Sequence, residues 1–306
     1  MNPHISVIIP AFNCVDFIER CLRSLMPQAQ QHSAEIIVVD SSSDGTDVLV
    51  ARVFPTVTLL HFSQRLFPGQ ARTVGIERAN GDLIAFLDSD CTVSPNWLSA
   101  KLEAHRSGHE MVSGGIRCHP DCRLIGWAYY FTEFSFFLSY TKPGNVEIAG
   151  AGGNLSFNRA LFELVTFRTP AARYALDLQL LRDLSRFGKN VYFEPSHAVF
   201  HHYDRPLCDF LKHEFQHGRD NVLVEYDFGS VRYFRNTAYL AAGPLLPFLK
   251  FFLTLYWVGT TKERLLTKFV QAMPLTFCGT VASTFGPWWG HCSRLPQSLL
   301  GRRNRG

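Results

Sequence analysis

Four short apolar runs, each separated from the next by a helical pattern, constrain this chain more than any other feature. They are 5-ISVIIP-10, 35-EIIVVD-40, 57-VTLLHF-62 and 83-LIAFLD-88. Each is apolar at consecutive rather than alternate positions, so a strand built from it must be covered on both faces. Between them lie 14-CVDFIERCLRSLM-26, 44-DGTDVLVARVF-54 and 70-QARTVGIERAN-80, with Asp44 at an N-cap position and Gly81 as a stop. This βαβαβ order predicts an α/β fold, a doubly wound and mostly parallel sheet flanked by helices. Ligands on such sheets bind beyond the carboxyl ends of the strands.

Hydrophobic residues make up 46% of the 306 and charged residues 18%, which supports a sizeable core and argues against disorder. A net charge of +4 without an RNA-binding motif argues against nucleic acid as a partner. The eight cysteines follow no framework, as in a reducing compartment, and Cys118 with Cys122 lacks a second pair at zinc spacing. The opening MNPHISVIIPAFN has no basic stretch and too short an apolar run for a signal peptide, so a cytoplasmic catalytic part is expected.

Three of the four strands end in polar or special residues: Pro10-Ala11-Phe12-Asn13, Asp40-Ser41-Ser42-Ser43-Asp44 and Asp88-Ser89-Asp90. Turn formation explains 40-DSSSDG-45 as well as a site does. Asp88 and Asp90 are harder to explain that way, because two carboxylates following a buried strand repel each other. Residues i and i+2 of an extended segment share a side, so both can reach one ligand. Their hard oxygens suit Mg2+ or Mn2+, whose coordination substrate phosphates commonly complete.

Taken in order, ISVIIPAFN, VVDSSSDGT, GQARTVGIERANGDLIAFLDSDC and GGNLSFNRALFE resemble the family 2 glycosyltransferases of GT-A fold, over residues 4 to about 220. The resemblance implies inverting transfer from a nucleotide-sugar donor with a divalent cation. It implies that Pro10, Ala11, Phe12, Asp40 and Ser41 serve the nucleotide, and that Arg72 lies near the diphosphate. Asp88, Ser89 and Asp90 would serve donor and metal, with Asp88 and Asp90 as metal ligands and His201 joining them. The same resemblance puts the general base on Asp177, within 175-ALDLQLLRDLSRFGKNVYFEP-195, and assigns Gly152, Gly153 and Asn154 of 150-GAGGNLSF-157 to the acceptor side.

The chain departs from the family pattern in three places. Leu176 replaces the first acid of the usual pair, Ser41 replaces a second acid after Asp40, and Thr73 replaces an asparagine. The nucleotide therefore stays open among UDP, the default, GDP and dTDP. Asp183 is the rival base, but beside Arg182 and Arg186 it reads as a solvated ion-pair residue. A solvated arginine is the alternative for Arg72, and a structural histidine for His201.

The stretch 216-QHGRD-220 lacks the tryptophan of processive synthases, which points to single addition. A helix over 173–188 carries the apolar stripe Leu176, Leu180, Leu181 and Leu184. The aromatic run 127-WAYYFTEFSFFLSY-140 reads as a packed helix or lid, with a lipid or sugar cradle as the alternative. Two long apolar segments follow, 238–259 and 269–290, interrupted by Lys250 and by Pro244, Pro247 and Pro274. Basic clusters before, between and after them oppose a spanning hairpin and favour helices lying in the membrane interface, with a soluble bundle as the alternative.

The expected organisation is a GT-A glycosyltransferase domain at 1–230 and an apolar, membrane-associating helical region at 231–306. Such an enzyme would sit peripherally on the inner face of the cell membrane and act on a saccharide or polyprenyl-linked acceptor. A nucleotidyltransferase is disfavoured, because Pro10–Asn13 is not a glycine-rich, arginine-bearing loop. A catalytically silent nucleotide-sugar-binding or scaffold protein stays open because of Leu176.

Overall fold

The apolar runs form strands where the pattern puts them: β1 (Ile5–Ala11), β2 (Glu35–Asp40), β3 (Thr58–His61) and β4 (Leu83–Leu87), joined by α1 (Val15–His32), α2 (Thr46–Val53) and α3 (Pro68–Arg78). The computed structural model describes residues 5–140, 142–146, 152–165, 167, 176–227, 243–261 and 264–300. Next come β5 (Cys91–Val93), α4 (Trp97–Arg106), β6 (Met111–Cys118), α5 (Leu124–Glu133), β7 (Gly144–Val146), β8 (Asn154–Asn158), α6 (Leu161–Leu164), α7 (Leu176–Ser185) and β9 (Val191–His201). The chain continues through α8 (Leu207–Asp227), α9 (Leu246–Thr260) and α10 (Leu266–Leu300).

The chain divides into two units. One comprises Met1–Pro120, Tyr140–Thr169 and Leu176–His202; the other comprises Asp121–Ser139, Pro170–Ala175 and Tyr203–Gly306. Hydropathy alone marked 231–306 as the helical part; the helical unit also draws in α5 and α8.

The first unit is built on a nine-stranded sheet in the order β3-β2-β1-β4-β8-β6-β9-β5, with β7 beside β9. Strands β1 to β4 are parallel. β8 runs antiparallel between β4 and β6, and β5 and β7 run antiparallel to β9. Ile8, Ile37, Val39, Ile84 and Phe86 meet Leu155, Phe157, Leu180, Leu181 and Leu184 in one core. Burial of such side chains is worth about 1.5–3 kcal/mol each, which is why the both-faces-apolar strands lie at the centre. Because β1, β2 and β4 are parallel neighbours, their polar carboxyl ends emerge on the same edge.

In the helical unit the aromatic run 127–140 folds as α5 and a 3-10 turn at Ser135–Ser139, with Trp127, Tyr129, Tyr130 and Phe131 buried. Phe131 meets Phe269 edge-on at 5.1 Å, and Tyr129 stacks on Tyr203 at 4.0 Å. Helices α8 and α10 approach closely at two glycines. A Cβ on Gly218 would lie 2.4 Å from the Ser283 carbonyl, and one on Gly286 would lie 2.1 Å from that of Phe215. No helix among the described residues is long and apolar enough to cross a membrane.

Inside this unit sits a pair of buried acids. Glu133 takes a 2.9 Å contact from His217 Nδ1, while Glu214 has no exposed surface and, as a carboxylate, no hydrogen-bond donor among the described residues, with His213 Nδ1 3.7 Å away. Burial, then the neighbouring Glu133, pushes Glu214 well above the usual carboxylate range. Burial also lifts Glu133, but the pull of His217, Glu214 and Lys250 outweighs it and leaves Glu133 well below that range. Glu214 is therefore the proton donor and Glu133 the acceptor of one shared proton.

The linkage sign follows. A carboxyl raised in the fold gives stability that is present in acid and lost as pH rises toward its folded value. Glu214→Gln, which mimics the protonated acid, is expected to stay folded at neutral pH and to lose less stability than wild type as pH rises from mildly acidic into alkaline solution. Melting temperatures across that range test this; parallel curves for the two proteins would contradict the shared proton.

Candidate active site

The carboxyl ends of β1 and β2 are laced together. Ser41 N–H donates to the Ala11 carbonyl at 3.0 Å, Asn13 N–H to Ser42 Oγ at 2.8 Å, and Ser43 N–H to Asn13 Oδ1 at 3.0 Å. Asn13 adopts a positive φ of 48°, which asparagine tolerates better than most residues. Pro10, Ala11 and Phe12 thus reach the crevice edge, with Phe12 partly exposed.

Asp40 and Ser41 arrive at the same edge but turn inward. Asp40 has no exposed surface; it accepts from Ser42 Oγ at 2.5 Å and contacts His61 Nδ1 at 2.6 Å. Ser41 is also buried, and its hydroxyl accepts from Leu66 N–H at 3.1 Å. Both were expected to face the nucleotide directly. What the crevice receives instead is the partly exposed His61 that Asp40 holds, and Arg65, whose guanidinium lies 3.9 Å over the Phe12 ring. Neither residue was singled out from the sequence, because β3 and the loop after it carry no motif.

Arg72 is not a solvated helix arginine. It is buried on α3, and its Nη2 donates to Asp88 Oδ1 at 2.9 Å. Its Nε is buried without a hydrogen-bond partner among the described residues. The glycine pair packs directly against this ion pair. A Cβ on Gly152 would lie 2.4 Å from Arg72 Nη2, and one on Gly153 would lie 2.5 Å from Asp88 Oδ2. Close approach, rather than a special backbone conformation, explains these glycines. Gly152 N–H also donates to Asp177 Oδ2 at 2.6 Å, so the same loop ties Asp177, in the first turn of α7, to Arg72 and Asp88.

Asp88 experiences the charge of this assembly. Withdrawal from water pushes its carboxyl up. Arg72 opposes that, the negative charges of Asp90 and Asp177 add to it, and His201 opposes it, leaving a net upward shift. Asp90 Oδ2 lies 3.4 Å from His201 Nε2. Ser89, between the two acids, is partly exposed.

Among the described residues, Asp90, Cys91 and His201 lie close enough together to hold an ion, and Asp88 stands outside that group. Carboxylate and imidazole donors are compatible with Mn2+ or Mg2+. Burial first, then Asp90 and Asp88, hold the neighbouring Cys91 thiol well above its usual range. Among the described residues, Cys118 and Cys122 belong to neither group close enough to hold a metal; those groups are Asp90–Cys91–His201 and Asp40–Asp47–His61.

Two expectations are corrected. Asn154, assigned to the acceptor, has no exposed surface: its Nδ2 donates to the Gly115 and His197 carbonyls at 3.0 and 2.8 Å, and its Oδ1 accepts from Trp97 Nε1 at 2.7 Å. It anchors the start of β8 below the glycines. Asp183 is buried rather than solvated, accepting from Gln179 at 2.6 Å and Arg186 at 3.1 Å.

Residues 6–165 match Glycosyl transferase family 2, more than half of the chain. The chain is similar to glycosyltransferase AglE of Haloferax volcanii, 32% identical over 234 residues covering 72% of this chain and 74% of that protein. It is also similar to the succinoglycan biosynthesis protein ExoO of Rhizobium meliloti, 37% identical over 102 residues, 33% of this chain but only 29% of that one.

Among solved structures, the mannosyltransferase PcManGT of Pyrobaculum calidifontis, in complex with GDP-Man and Mn2+, superposes with a TM-score of 0.62 at 18% identity, covering 94% of this chain and 88% of that one. Glucosyl-3-phosphoglycerate synthase of Mycobacterium tuberculosis, in complex with Mn2+, UDP and glucosyl-3-phosphoglycerate, gives 0.53 at 20% identity, covering 73% and 79%. At such identities these two speak for the fold alone. The chain belongs to glycosyl transferase family 2.

The corrected role of Asn154 is directly testable. Asn154→Ala leaves the Trp97 N–H and two carbonyls without partners, each costing about 1–3 kcal/mol. A loss of about 3 kcal/mol or more in denaturant unfolding is expected; a fully stable variant with only a raised acceptor KM would restore the acceptor role.

Proposed function

We propose that the protein is an inverting, non-processive glycosyltransferase that takes a sugar from a nucleoside-diphosphate donor, with a UDP-sugar the first to test. The observation that carries this reading is the fastening of Asp177 to Gly152, on the loop that also packs against Arg72 and Asp88. A carboxylate held beside the donor machinery, with its Oδ2 ordered by a backbone N–H, is suited to take the proton of an acceptor hydroxyl. Deprotonated oxygen then attacks the anomeric carbon from the face opposite the leaving diphosphate, which inverts the centre.

Asp88, Asp90 and His201 would hold Mn2+ or Mg2+, and when bound the cation supplies Lewis-acid stabilisation of the leaving phosphate. Arg72 contributes a fixed positive charge close to where the diphosphate would lie. Phe12, with Arg65 above it, offers a flat apolar face for the nucleobase. Gly152 and Gly153 form the acceptor side, where close packing on Arg72 and Asp88 fixes the backbone that holds Asp177. Leu176 leaves Asp177 without the family's paired acid, so a single carboxylate performs the proton transfer.

The helical unit supports a peripheral membrane attachment on the cytoplasmic face. On α9, Phe248, Leu249, Phe252, Leu253 and Tyr256 are exposed and fall on one helical face, with Phe252 61% and Tyr256 64% exposed. On α10, Val281, Phe285 and Trp289 repeat the pattern at four-residue spacing. Apolar faces of this kind mark interfacial helices, with the exposed Arg264 available to anionic headgroups. Of the segment read as 238–259, residues 238–242 lie outside the described residues. Membrane attachment suits a polyprenyl-linked acceptor, in cell-surface glycan synthesis.

Release of nucleoside diphosphate from UDP-, GDP- and dTDP-sugars, with Mn2+ or with EDTA, tests the reaction. Turnover with one donor is expected, abolished by EDTA and reduced about 10²- to 10⁴-fold in kcat by Asp177→Asn with donor binding retained. Donor binding without turnover, indifferent to Asp177→Asn, would instead make the chain a silent nucleotide-sugar binder. In the same preparations the protein should float with anionic phospholipid vesicles; recovery in the dense fraction would remove the membrane part of the proposal.

A further inference from the structure

Cys91 stands among the residues assigned to the cation, and the reaction proposed above does not use it. Its Sγ, a carboxylate oxygen of Asp90 and a ring nitrogen of His201 all lie within 4.8 Å of one another. The sheet builds this group. Cys91 and His201 pair directly across antiparallel β5 and β9, so their side chains share a face, and Asp90 immediately precedes β5. Cys91 is fully buried and His201 nearly so, whereas Asp90 keeps 30% of its side chain exposed, which gives an ion an entry.

Two donor sets thus share two members. Asp88, Asp90 and His201 are rich in hard oxygen and suit Mg2+ or Mn2+. Asp90, His201 and Cys91 instead make a carboxylate–imidazole–thiolate set, of the kind that selects Zn2+ and Co2+. Zn–S and Zn–N bonds of about 2.3 and 2.0–2.1 Å would draw the three atoms inward from their present spacing.

We propose that Cys91 makes this a dual-character metal site, in which Zn2+ or Co2+ is captured by Cys91, Asp90 and His201 and thereby excludes the ion that supports transfer. The inference rests on the cation site proposed above. As the sulfur–metal bond forms, the thiol proton passes to solvent; nothing is oxidised or reduced. Three other buried thiols lie nearby without completing such a group. Cys21 Sγ contacts the Asp88 carbonyl at 3.7 Å, Cys14 lies beside Thr46, and Cys118 pairs with His201 from β6.

Optical titration with Co2+, alongside Mn2+ binding followed by electron paramagnetic resonance, tests the proposal on the full chain. Wild type should develop a thiolate-to-cobalt charge-transfer band that is absent from Cys91→Ser and Cys91→Ala, both of which still bind Mn2+. Zn2+ should displace Mn2+ from wild type at about 10- to 100-fold lower concentration than from Cys91→Ser. Mn2+ binding without a cobalt–thiolate band in wild type, or a band that survives Cys91→Ser, overturns the proposal alone. Failure of Mn2+ and Co2+ to bind wild type at all overturns the cation site and this inference together. Should both Cys91 variants fail to fold, a band retained in the serine variant of each of the other seven cysteines assigns it to Cys91, and its loss in any of them contradicts that assignment.

Discussion

Repulsion among carboxylates that the sheet gathers at one edge is the constraint on which the rest of the first unit depends. Asp88 and Asp90 follow β4, and the charge of Asp177 reaches Asp88 from the first turn of α7. Against them the fold sets one buried cation, Arg72, at 2.9 Å from Asp88. One guanidinium does not balance three acids; burial first, and then the charges of Asp90 and Asp177, hold the Asp88 carboxyl above its ordinary range against Arg72 and His201. A carboxyl raised in this way costs the folded state stability above the usual carboxylate range, a cost that a bound cation would offset.

The surrounding architecture serves that arrangement. Glycines at 152 and 153 let backbone come within contact of Arg72 and Asp88, where any Cβ would collide. Asn154 then fixes this loop to β6, β9 and α4 through the Gly115 and His197 carbonyls and the Trp97 indole. The segment read as acceptor-facing therefore divides its labour. Its glycines line the crevice, and its asparagine holds them there from inside the protein.

The sheet was legible because strands apolar on both faces have few alternatives, and the order of β1 to β4 followed from the helices between them. The crevice was legible through the strand ends. What the sequence left hidden was direction. Asp40 and Asn154 lie at positions where a family pattern suggests contact, yet their side chains turn into the protein and bond to His61 and Trp97, partners that only the folded sheet brings near. Asp183 misled for a related reason: beside Arg186 it looked solvated, but it lies next to Leu180, Leu181 and Leu184 on the buried side of α7. Helix α1 was expected to stop before Pro27 and instead runs to His32, with Pro27 on its exposed side. In the helical unit, hydropathy found the two apolar segments but missed Glu133 and Glu214, because a shared proton leaves no trace in a sequence.

The most direct measurement is a titration of the protein with Mn2+ monitored by electron paramagnetic resonance, with and without a nucleoside diphosphate, for wild type and Asp90→Asn. If the gathered carboxylates exist to hold a cation, wild type binds one ion per chain, the nucleotide tightens it, and Asp90→Asn weakens it by about 100-fold or more. Equal binding by the two proteins, or none by wild type even with nucleotide present, would contradict the account at its centre.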